Sequence, residues 1–125
     1  MSSGPTVAIV DDDPAMRDSL RWLLQSEGLS VETHNTAEEF LATHDFSRLG
    51  CLILDVRLPG MNGLDLQDEL RARGVTVPVV IVTGYGEAAT MARALKGGAL
   101  DLIEKPLSVE RLLGRIRQAL EAAPK

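Results

Sequence analysis

A buried strand passes directly into a helix in the segment Thr6-Val7-Ala8-Ile9-Val10-Asp11-Asp12-Asp13-Pro14. Its first half is a run of small and β-branched apolar residues, which is typical of a strand buried on both faces of a parallel sheet. Asp13 followed by Pro14 predicts a helix N-cap with proline at the first helical position. A strand followed at once by a helix favours an α/β fold, in which such pairs alternate along the chain.

The rest of the chain repeats this alternation. Further strands are predicted at Ser30–His34, Cys51–Leu54 with its end at Asp55, Val79–Val82, and Leu102–Glu104. Four helices are predicted from Pro14 to before Gly28, from the capping box of Thr36 and Glu39 to about Ala42, from Leu64 to Arg73, and from Glu87 to Lys96. A fifth helix is predicted after a cap at Ser108, and its apolar stripe is Val109, Leu112, Leu113, Ile116 and Leu120. Five strands alternating with five helices predict right-handed βαβ connections and one parallel sheet covered by helices on both faces.

Length, composition and charge agree with one α/β domain. A chain of 125 residues with 45% hydrophobic and 25% charged residues is ordinary for a single globular domain. The net charge of −5 argues against a nucleic-acid-binding face, and the single cysteine, Cys51, excludes an internal disulfide and a cysteine-rich zinc site. No apolar run approaches the roughly 20 residues that span a bilayer. We therefore expect a cytoplasmic domain over residues 1–125 with no membrane partner.

Polar side chains follow four of the predicted strands where each strand ends. Asp11 and Asp12 follow the first strand, Asp55 ends the third, Thr83 follows the fourth and Lys105 follows the fifth. In open parallel sheets the functional crevice lies beyond the carboxyl ends of the strands, so these side chains are expected to converge.

This set of residues suits phosphoryl transfer. Crowded carboxylates repel one another and need proton uptake or a cation, and oxygen ligands of this kind suit Mg²⁺. A carboxylate can act as a nucleophile and form an acyl phosphate. The ammonium of Lys105 and the hydroxyl of Thr83 can contact phosphoryl oxygens. We interpret Asp55 as the acceptor.

The motifs at these strand ends resemble those of the receiver domain of two-component response regulators, and the resemblance extends from about Thr6 to Ala122. They are Val10-Asp11-Asp12, Leu54-Asp55-Val56-Arg57-Leu58-Pro59-Gly60-Met61-Asn62-Gly63, Val82-Thr83-Gly84 and Glu104-Lys105-Pro106. The resemblance implies a doubly wound (βα)5 fold, a flavodoxin-like or CheY-like three-layer sandwich with parallel sheet order 2-1-3-4-5. The segments 83–86 and 98–106 resemble the FixJ-type subgroup.

The resemblance also implies a role for each site residue. Asp11 and Asp12 would hold Mg²⁺ together with Asp55 and the backbone carbonyl of Arg57, with Asp12 the more direct ligand. Asp55 would be the phosphoacceptor. Thr83 would be the switch hydroxyl and Lys105 would contact the phosphoryl group. The Lys105-Pro106 bond is usually cis in this family.

The family further implies the partners. The phosphoryl donor would be a sensor histidine kinase. On phosphorylation the face made by the fourth helix, fifth strand and fifth helix would form a homodimer or release an output domain. The domain would be a signalling phosphoacceptor rather than an enzyme. DNA would be bound only by a helix-turn-helix output domain outside this chain, and residues 122–125 could begin the linker to it.

The sequence also departs from the family pattern. Leu102 occupies the position of the usual aromatic switch residue, and Leu107 replaces a frequent phenylalanine. The residues two after the acceptor and two after Thr83, which tune the acyl-phosphate lifetime, are Arg57 and Tyr85.

Other functions and plainer interpretations stay open at this point. A phosphatase of the haloacid dehalogenase type would use Asp11 and Asp13, but Ala15 breaks its motif. A flavodoxin-like carrier would need a phosphate loop where Asp11-Asp12-Asp13 would repel phosphate. A degenerate or stand-alone receiver could act as a protein-interaction module. The acidic residues could also be no more than helix caps and turns, but that would have to hold at four strand ends together.

Four residues outside these motifs also carry an interpretation. Cys51 is expected in the core, and His34 and His44 at the surface or at strand ends. Trp22 lies opposite the apolar stripe of its helix and either folds over that helix or marks a docking surface for the kinase.

Overall fold

Strands and helices alternate without exception in the part of the chain that the structure describes. A computed structural model describes residues 5–43, 46–84 and 88–122. Within these residues the elements are β1 (Thr6–Val10), α1 (Pro14–Ser26), β2 (Ser30–His34), α2 (Ala37–Leu41), β3 (Leu49–Asp55), α3 (Gly63–Ala72), β4 (Val79–Thr83), α4 (Ala88–Lys96), β5 (Asp101–Glu104) and α5 (Val109–Ala122).

The strands form one parallel sheet in the order β2-β1-β3-β4-β5, which confirms the predicted fold class. The pairing register brings the strand ends level. Val10 at the end of β1 lies opposite His34 on one side and Leu54 on the other. Asp55 pairs with Val82, and Thr83 pairs with Glu104. The residues that follow the strands therefore meet at one edge of the sheet.

Alternate residues of each strand pack against the helices on opposite faces of the sheet. In β1, Ala8 and Val10 point towards the cluster that includes α2 and α3, whereas Val7 and Ile9 point towards α1 and α5. Because strand side chains alternate with a period of two, a strand covered on both faces must be apolar throughout. Burying each valine, leucine or isoleucine contributes roughly 1.5–3 kcal/mol. Cys51 lies in this core as predicted, and burial raises the pKa of its thiol to about 12.

Three predicted helix caps are formed as expected. Asp13 Oδ1 accepts the Ala15 N–H at 3.0 Å, with Pro14 as the first residue of α1. Thr36 Oγ1 accepts the Glu39 N–H at 3.0 Å, and Ser108 Oγ accepts the Arg111 N–H at 3.3 Å. These side chains satisfy N–H groups that have no partner within their helices.

Some predicted boundaries and environments differ from the structure. β3 begins at Leu49, two residues before the predicted start, because Leu49 pairs with Thr6 of β1. Val109 is 47% exposed, so its predicted place in the apolar stripe of α5 is wrong. Ala119, which was not predicted in the stripe, is buried. His34 ends β2 as predicted but is buried, since its ring packs edge-on against Phe40.

Trp22 is 72% exposed on α1, so the rest of the protein covers little of its ring. His44, Tyr85 and the predicted start of the fourth helix at Glu87 lie outside the described residues. Within the described residues, we find no helix with both the length and the apolar character needed to span a bilayer.

Ion pairs join β5 to α5 at the amino end of the strand. The Asp101 carboxylate accepts hydrogen bonds from Arg111 Nη2 at 2.7 Å and from Arg115 Nε at 2.9 Å. Burial alone would raise the pKa of Asp101, but these two guanidinium groups and the Leu102 N–H lower that pKa to about 2. The charged carboxylate is therefore favoured in the folded state.

We expect Asp101→Asn to lower the free energy of unfolding at pH 7 by about 1–2 kcal/mol. Because the pKa of Asp101 is lower in the folded protein than in the unfolded chain, this contribution is complete above about pH 4 and is lost as the pH falls towards 2. Urea unfolding of the wild type and of Asp101→Asn between pH 2 and pH 7 measures the difference in their free energies of unfolding. Asp18→Asn removes a carboxylate from an exposed pair with Arg21 and should change stability by less than about 0.5 kcal/mol. A constant difference between wild type and Asp101→Asn at all pH values would contradict the prediction.

Candidate functional site

Three carboxylates and a lysine lie together at the carboxyl edge of the sheet. Asp11, Asp12 and Asp55 each offer a carboxylate oxygen, and these oxygens lie within 4.8 Å of one another. Asp11 is 3% exposed and Asp55 is 6% exposed, whereas Asp12 is exposed to solvent. Lys105 Nζ lies 3.3 Å from Asp55 Oδ2 and 3.5 Å from Asp11 Oδ2. The structure therefore brings together four of the residues that the strand ends predicted.

The backbone fixes the orientation of both buried carboxylates. Asp11 Oδ1 accepts the Asp13 N–H at 2.9 Å, and Asp55 Oδ1 accepts the Arg57 N–H at 3.1 Å. In each carboxylate one oxygen is held by the chain that follows it, while the other lies near the Lys105 ammonium. Hydrogen bonds from backbone N–H groups to a charged carboxylate are among the stronger ones in proteins.

The electrostatics of the site reflect burial and crowding. Burial raises the pKa of Asp11, and repulsion from Asp55 raises it further, while the Asp13 N–H and Lys105 act in the opposite direction. Burial lowers the pKa of Lys105, but attraction to Asp55 and Asp11 outweighs it and leaves that pKa above its usual value. The lysine is therefore held as a cation between two acids.

Thr83 ends β4 beside this cluster and is buried. The Lys105 N–H donates to the Thr83 carbonyl at 2.8 Å, which fixes the end of β4 against the residue after β5. The Lys105-Pro106 peptide bond is cis, as the resemblance implied. Leu102 is buried in the core cluster that also contains Ala94 of α4.

A close backbone approach shapes the loop after Asp55. The Gly63 N–H donates to the Val56 carbonyl at 2.9 Å, and a Cβ atom on Gly63 would lie 2.2 Å from the Asp55 carbonyl oxygen. Only glycine allows α3 to begin this close to the end of β3. The spacing from Asp55 to Gly63 is therefore part of the construction of the site.

Sequence reasoning missed two residues that support the site. Arg17 Nη1 donates to the Asp11 carbonyl at 2.7 Å, so α1 is tied to the segment that carries the acidic pair. Glu38 Oε2 accepts the Met61 N–H at 3.0 Å, and this bond lowers the pKa of Glu38 and ties the loop after Asp55 to α2. Glu38 and Met61 lie 23 positions apart, so no local sequence signal could have revealed the second contact.

The donor set fits a hard divalent cation. Carboxylate oxygens are the ligands that Mg²⁺ prefers, and two or three carboxylates with open positions for water match its usual protein sites. Asp11, Asp12 and Asp55 could supply these oxygens. The exposed Asp12 leaves such a cation accessible from solvent.

A family model described as the response regulator receiver domain matches residues 7–117. The chain belongs to this family. Response regulator protein TodT from Pseudomonas putida is 45% identical to the receiver over 118 residues, which are 94% of this chain and 52% of TodT. Transcriptional regulatory protein FixJ from Azorhizobium caulinodans is 41% identical over 114 residues, which are 91% of this chain and 54% of FixJ.

The crystal structure of FixJ-N matches the fold of this receiver with a TM-score of 0.89 at 35% sequence identity, and the match covers 99% of both chains. These similarities confirm the predicted family and agree with the FixJ-type subgroup. The receiver chain spans about half the length of the curated relatives it matches.

Replacing Asp11 by asparagine should stabilise the receiver when divalent cations are chelated. Asparagine can still accept the Asp13 N–H, but it removes a buried charge that burial and Asp55 both disfavour. We expect the free energy of unfolding to rise by about 1 kcal/mol, which raises the thermal midpoint by a few degrees. Thermal unfolding in a chelating buffer measures the change.

Asp13→Asn is the control, because asparagine is an equally good N-cap and Asp13 is exposed. It removes the same charge two residues away and should change the midpoint much less. A midpoint for Asp11→Asn at or below that of the wild type would contradict the prediction.

Proposed function

We propose that this chain is the phosphoacceptor receiver domain of a response regulator, and that Asp55 takes a phosphoryl group from a phosphohistidine of a sensor histidine kinase. The observation that best supports the proposal is the position of the buried Asp55 carboxylate. One of its oxygens is held by the Arg57 N–H, and the other lies 3.3 Å from the Lys105 ammonium. A buried, oriented carboxylate next to a fixed cation is suited to attack on phosphorus.

In the proposed reaction an Asp55 oxygen attacks phosphorus in line. The new P–O bond forms as the P–N bond of the phosphohistidine breaks, and the imidazole leaves with the electron pair and takes up a proton. Lys105 is close enough to Asp55 to balance the negative charge on the transferred phosphoryl oxygens. The Thr83 hydroxyl would donate to one of those oxygens, which is the basis of its proposed switch role.

The proposed reaction depends on Mg²⁺. Asp11, Asp12 and Asp55 would hold the ion, and the Arg57 carbonyl would complete the protein ligands. When bound, the ion supplies positive charge against the carboxylates and the phosphoryl oxygens. The residues themselves provide the orientation: Asp13 and Arg57 hold one oxygen of each buried carboxylate, as the hydrogen bonds above describe.

We propose that the domain works as a signalling switch rather than as a hydrolase. The Asp13 carboxylate caps α1 by accepting the Ala15 N–H, so it is already used where a phosphatase of the haloacid dehalogenase type would need an acid. We also propose that this function is cytoplasmic, because a histidine kinase would form its phosphohistidine with ATP, which is a cytoplasmic nucleotide.

The proposed output surface comprises α4, β5 and α5. Met91 and Leu95 of α4 and Val109 of α5 are exposed apolar side chains on these elements, which supports homodimer formation after phosphorylation. FixJ is named as a transcriptional regulatory protein, and the match with this chain covers 54% of the length of FixJ. We propose that residues 1–125 form one receiver domain, that 122–125 begin a linker, and that DNA is bound by an output domain encoded beyond them.

Intact-mass measurement after incubation with Mg²⁺ and acetyl phosphate tests the acceptor. We expect the wild type to gain one phosphoryl group, and expect no gain for Asp55→Asn or in the presence of a chelator. Asp18→Asn, which removes a carboxylate from the exposed side of α1, should be phosphorylated like the wild type.

If acetyl phosphate gives no gain, the purified cognate kinase replaces it. A folded protein that takes up no phosphoryl group from either donor would overturn the proposal and favour a degenerate receiver that acts through constant protein contacts.

Thr83→Ala should separate phosphorylation from the switch. The variant keeps Asp55 and Lys105, so we expect phosphoryl uptake within about tenfold of wild type, since one hydroxyl hydrogen bond is worth about 0.5–1.5 kcal/mol. Association should no longer depend on phosphorylation. Light scattering before and after treatment with acetyl phosphate measures the mass, and Thr76→Ala, at an exposed threonine before β4, is the control. Equal phosphorylation-dependent association of Thr83→Ala and wild type would remove the switch role from Thr83.

A further inference from the structure

Two ion pairs link α3 to α4 through a single guanidinium group. Arg93 Nη2 on α4 donates to Asp65 Oδ1 and to Asp68 Oδ2 on α3, both at 2.9 Å. Asp65 and Asp68 are one helical turn apart and therefore lie on the same face of α3. These two hydrogen bonds raise the pKa of Arg93, and they connect residues that are 28 and 25 positions apart in the sequence.

A buried contact lies beside these ion pairs. Gln67 Nε2 donates to the Ala94 carbonyl of α4 at 3.0 Å, and Gln67 is buried. A Cβ atom on Gly97 would lie 2.9 Å from the carboxamide of Gln67, so the end of α4 rests directly on this side chain. We call the six residues that make these contacts the α3–α4 bridge: Asp65, Gln67, Asp68, Arg93, Ala94 and Gly97.

The bridge adds polar contacts to the small apolar surface that α4 buries. Within its described range Ala88–Lys96, Ala94 is the one buried residue of α4, and Met91 and Leu95 are exposed. A helix with so little buried apolar surface is at the low end of local stability. The position of α4 therefore depends strongly on polar contacts with α3.

The bridge also joins the two segments that follow the proposed acceptor and the proposed switch residue. α3 begins at Gly63 after the loop from Asp55, and α4 begins at Ala88 after the segment from Thr83. The Gln67 hydrogen bond ties this side chain to α4, and Gly97 follows α4 directly over the same carboxamide, so a shift of α4 would alter both contacts.

We propose that the α3–α4 bridge stabilises the unphosphorylated position of α4 and thereby sets the balance of the switch. This inference rests on the proposed function of the domain. A ligand that favours the switched state binds with an apparent affinity reduced by the small population of that state. Weakening the bridge raises that population, so it must tighten the binding of a phosphoryl analogue by the same factor.

The test compares Arg93→Ala with Arg71→Ala in the 125-residue chain. Arg71 also pairs with Asp68, at 3.1 Å, but within α3, so Arg71→Ala removes the same charge without changing the contact with α4. Beryllium fluoride with Mg²⁺ is the phosphoryl analogue, and amide resonances in nuclear magnetic resonance spectra follow the titration. We expect the apparent Kd to fall about two- to fivefold for Arg93→Ala, as for the loss of exposed ion pairs, and to stay unchanged for Arg71→Ala.

A second variant tests the buried half of the bridge. Gly97→Ala would displace the Gln67 carboxamide and should tighten analogue binding in the same direction. The spectra of the free proteins establish that each variant is folded.

The outcomes separate the two proposals. Analogue binding by the wild type with an unchanged or higher Kd for both Arg93→Ala and Gly97→Ala would overturn the role of the bridge and leave the proposed function intact. A wild type that binds no analogue and takes up no phosphoryl group would overturn both.

Discussion

Repulsion between the buried carboxylates of Asp11 and Asp55 is the constraint to which the rest of the site responds. Both groups lie in an environment that disfavours charge, and their oxygens are within 4.8 Å of each other and of Asp12. Lys105 offsets part of this repulsion from β5, and backbone N–H groups hold one oxygen of each carboxylate. What remains is a local excess of negative charge at one edge of the sheet, which a divalent cation would neutralise.

The sheet is what makes such an unfavourable cluster tolerable. The inner strands are apolar on both faces, and the core is aliphatic, with aromatic residues at only 3% of the chain. Hydrophobic burial on this scale stabilises the strands far more than the crowded charges destabilise their ends. The functional edge can therefore be strained electrostatically while the strands that carry it stay fixed. α4 shows the opposite condition, because within its described range it buries little apolar surface and polar contacts with α3 add to its attachment.

The sequence predicted most of what depends on local patterns. Strand and helix order, the caps at Asp13 and Thr36, and the convergence of Asp11, Asp12, Asp55, Thr83 and Lys105 follow from periodicity and from the general position of crevices in parallel sheets. Periodicity was misleading at Val109, the first residue of α5, whose apolar side chain is 47% exposed. His34 ends β2 as predicted, and its ring can be buried there because it packs edge-on against Phe40 and is hydrogen-bonded to Glu32.

The remaining contacts could not be predicted because they join distant parts of the chain. Arg17, Glu38, Gln67 and Arg93 look like ordinary polar residues of exposed helices, and their partners become neighbours only when the helices pack. Gly97 illustrates the same point, since its lack of a side chain has meaning only against Gln67 of another helix.

The apolar contacts of the sheet and the polar contacts of the α3–α4 bridge differ in strength in a way that suits a switch. The sheet and its two apolar faces contribute tens of kcal/mol, so no single ligand can rearrange them. Exposed ion pairs such as those of Arg93 contribute about 0.2–1 kcal/mol, and a buried amide hydrogen bond about 1 kcal/mol. A two-state element responds to a ligand only when its states differ by a few kcal/mol, because the ligand can shift the balance by no more than its differential affinity. A helix held by a few such contacts between the segments that follow Asp55 and Thr83 lies within that range, and the strands beneath it do not.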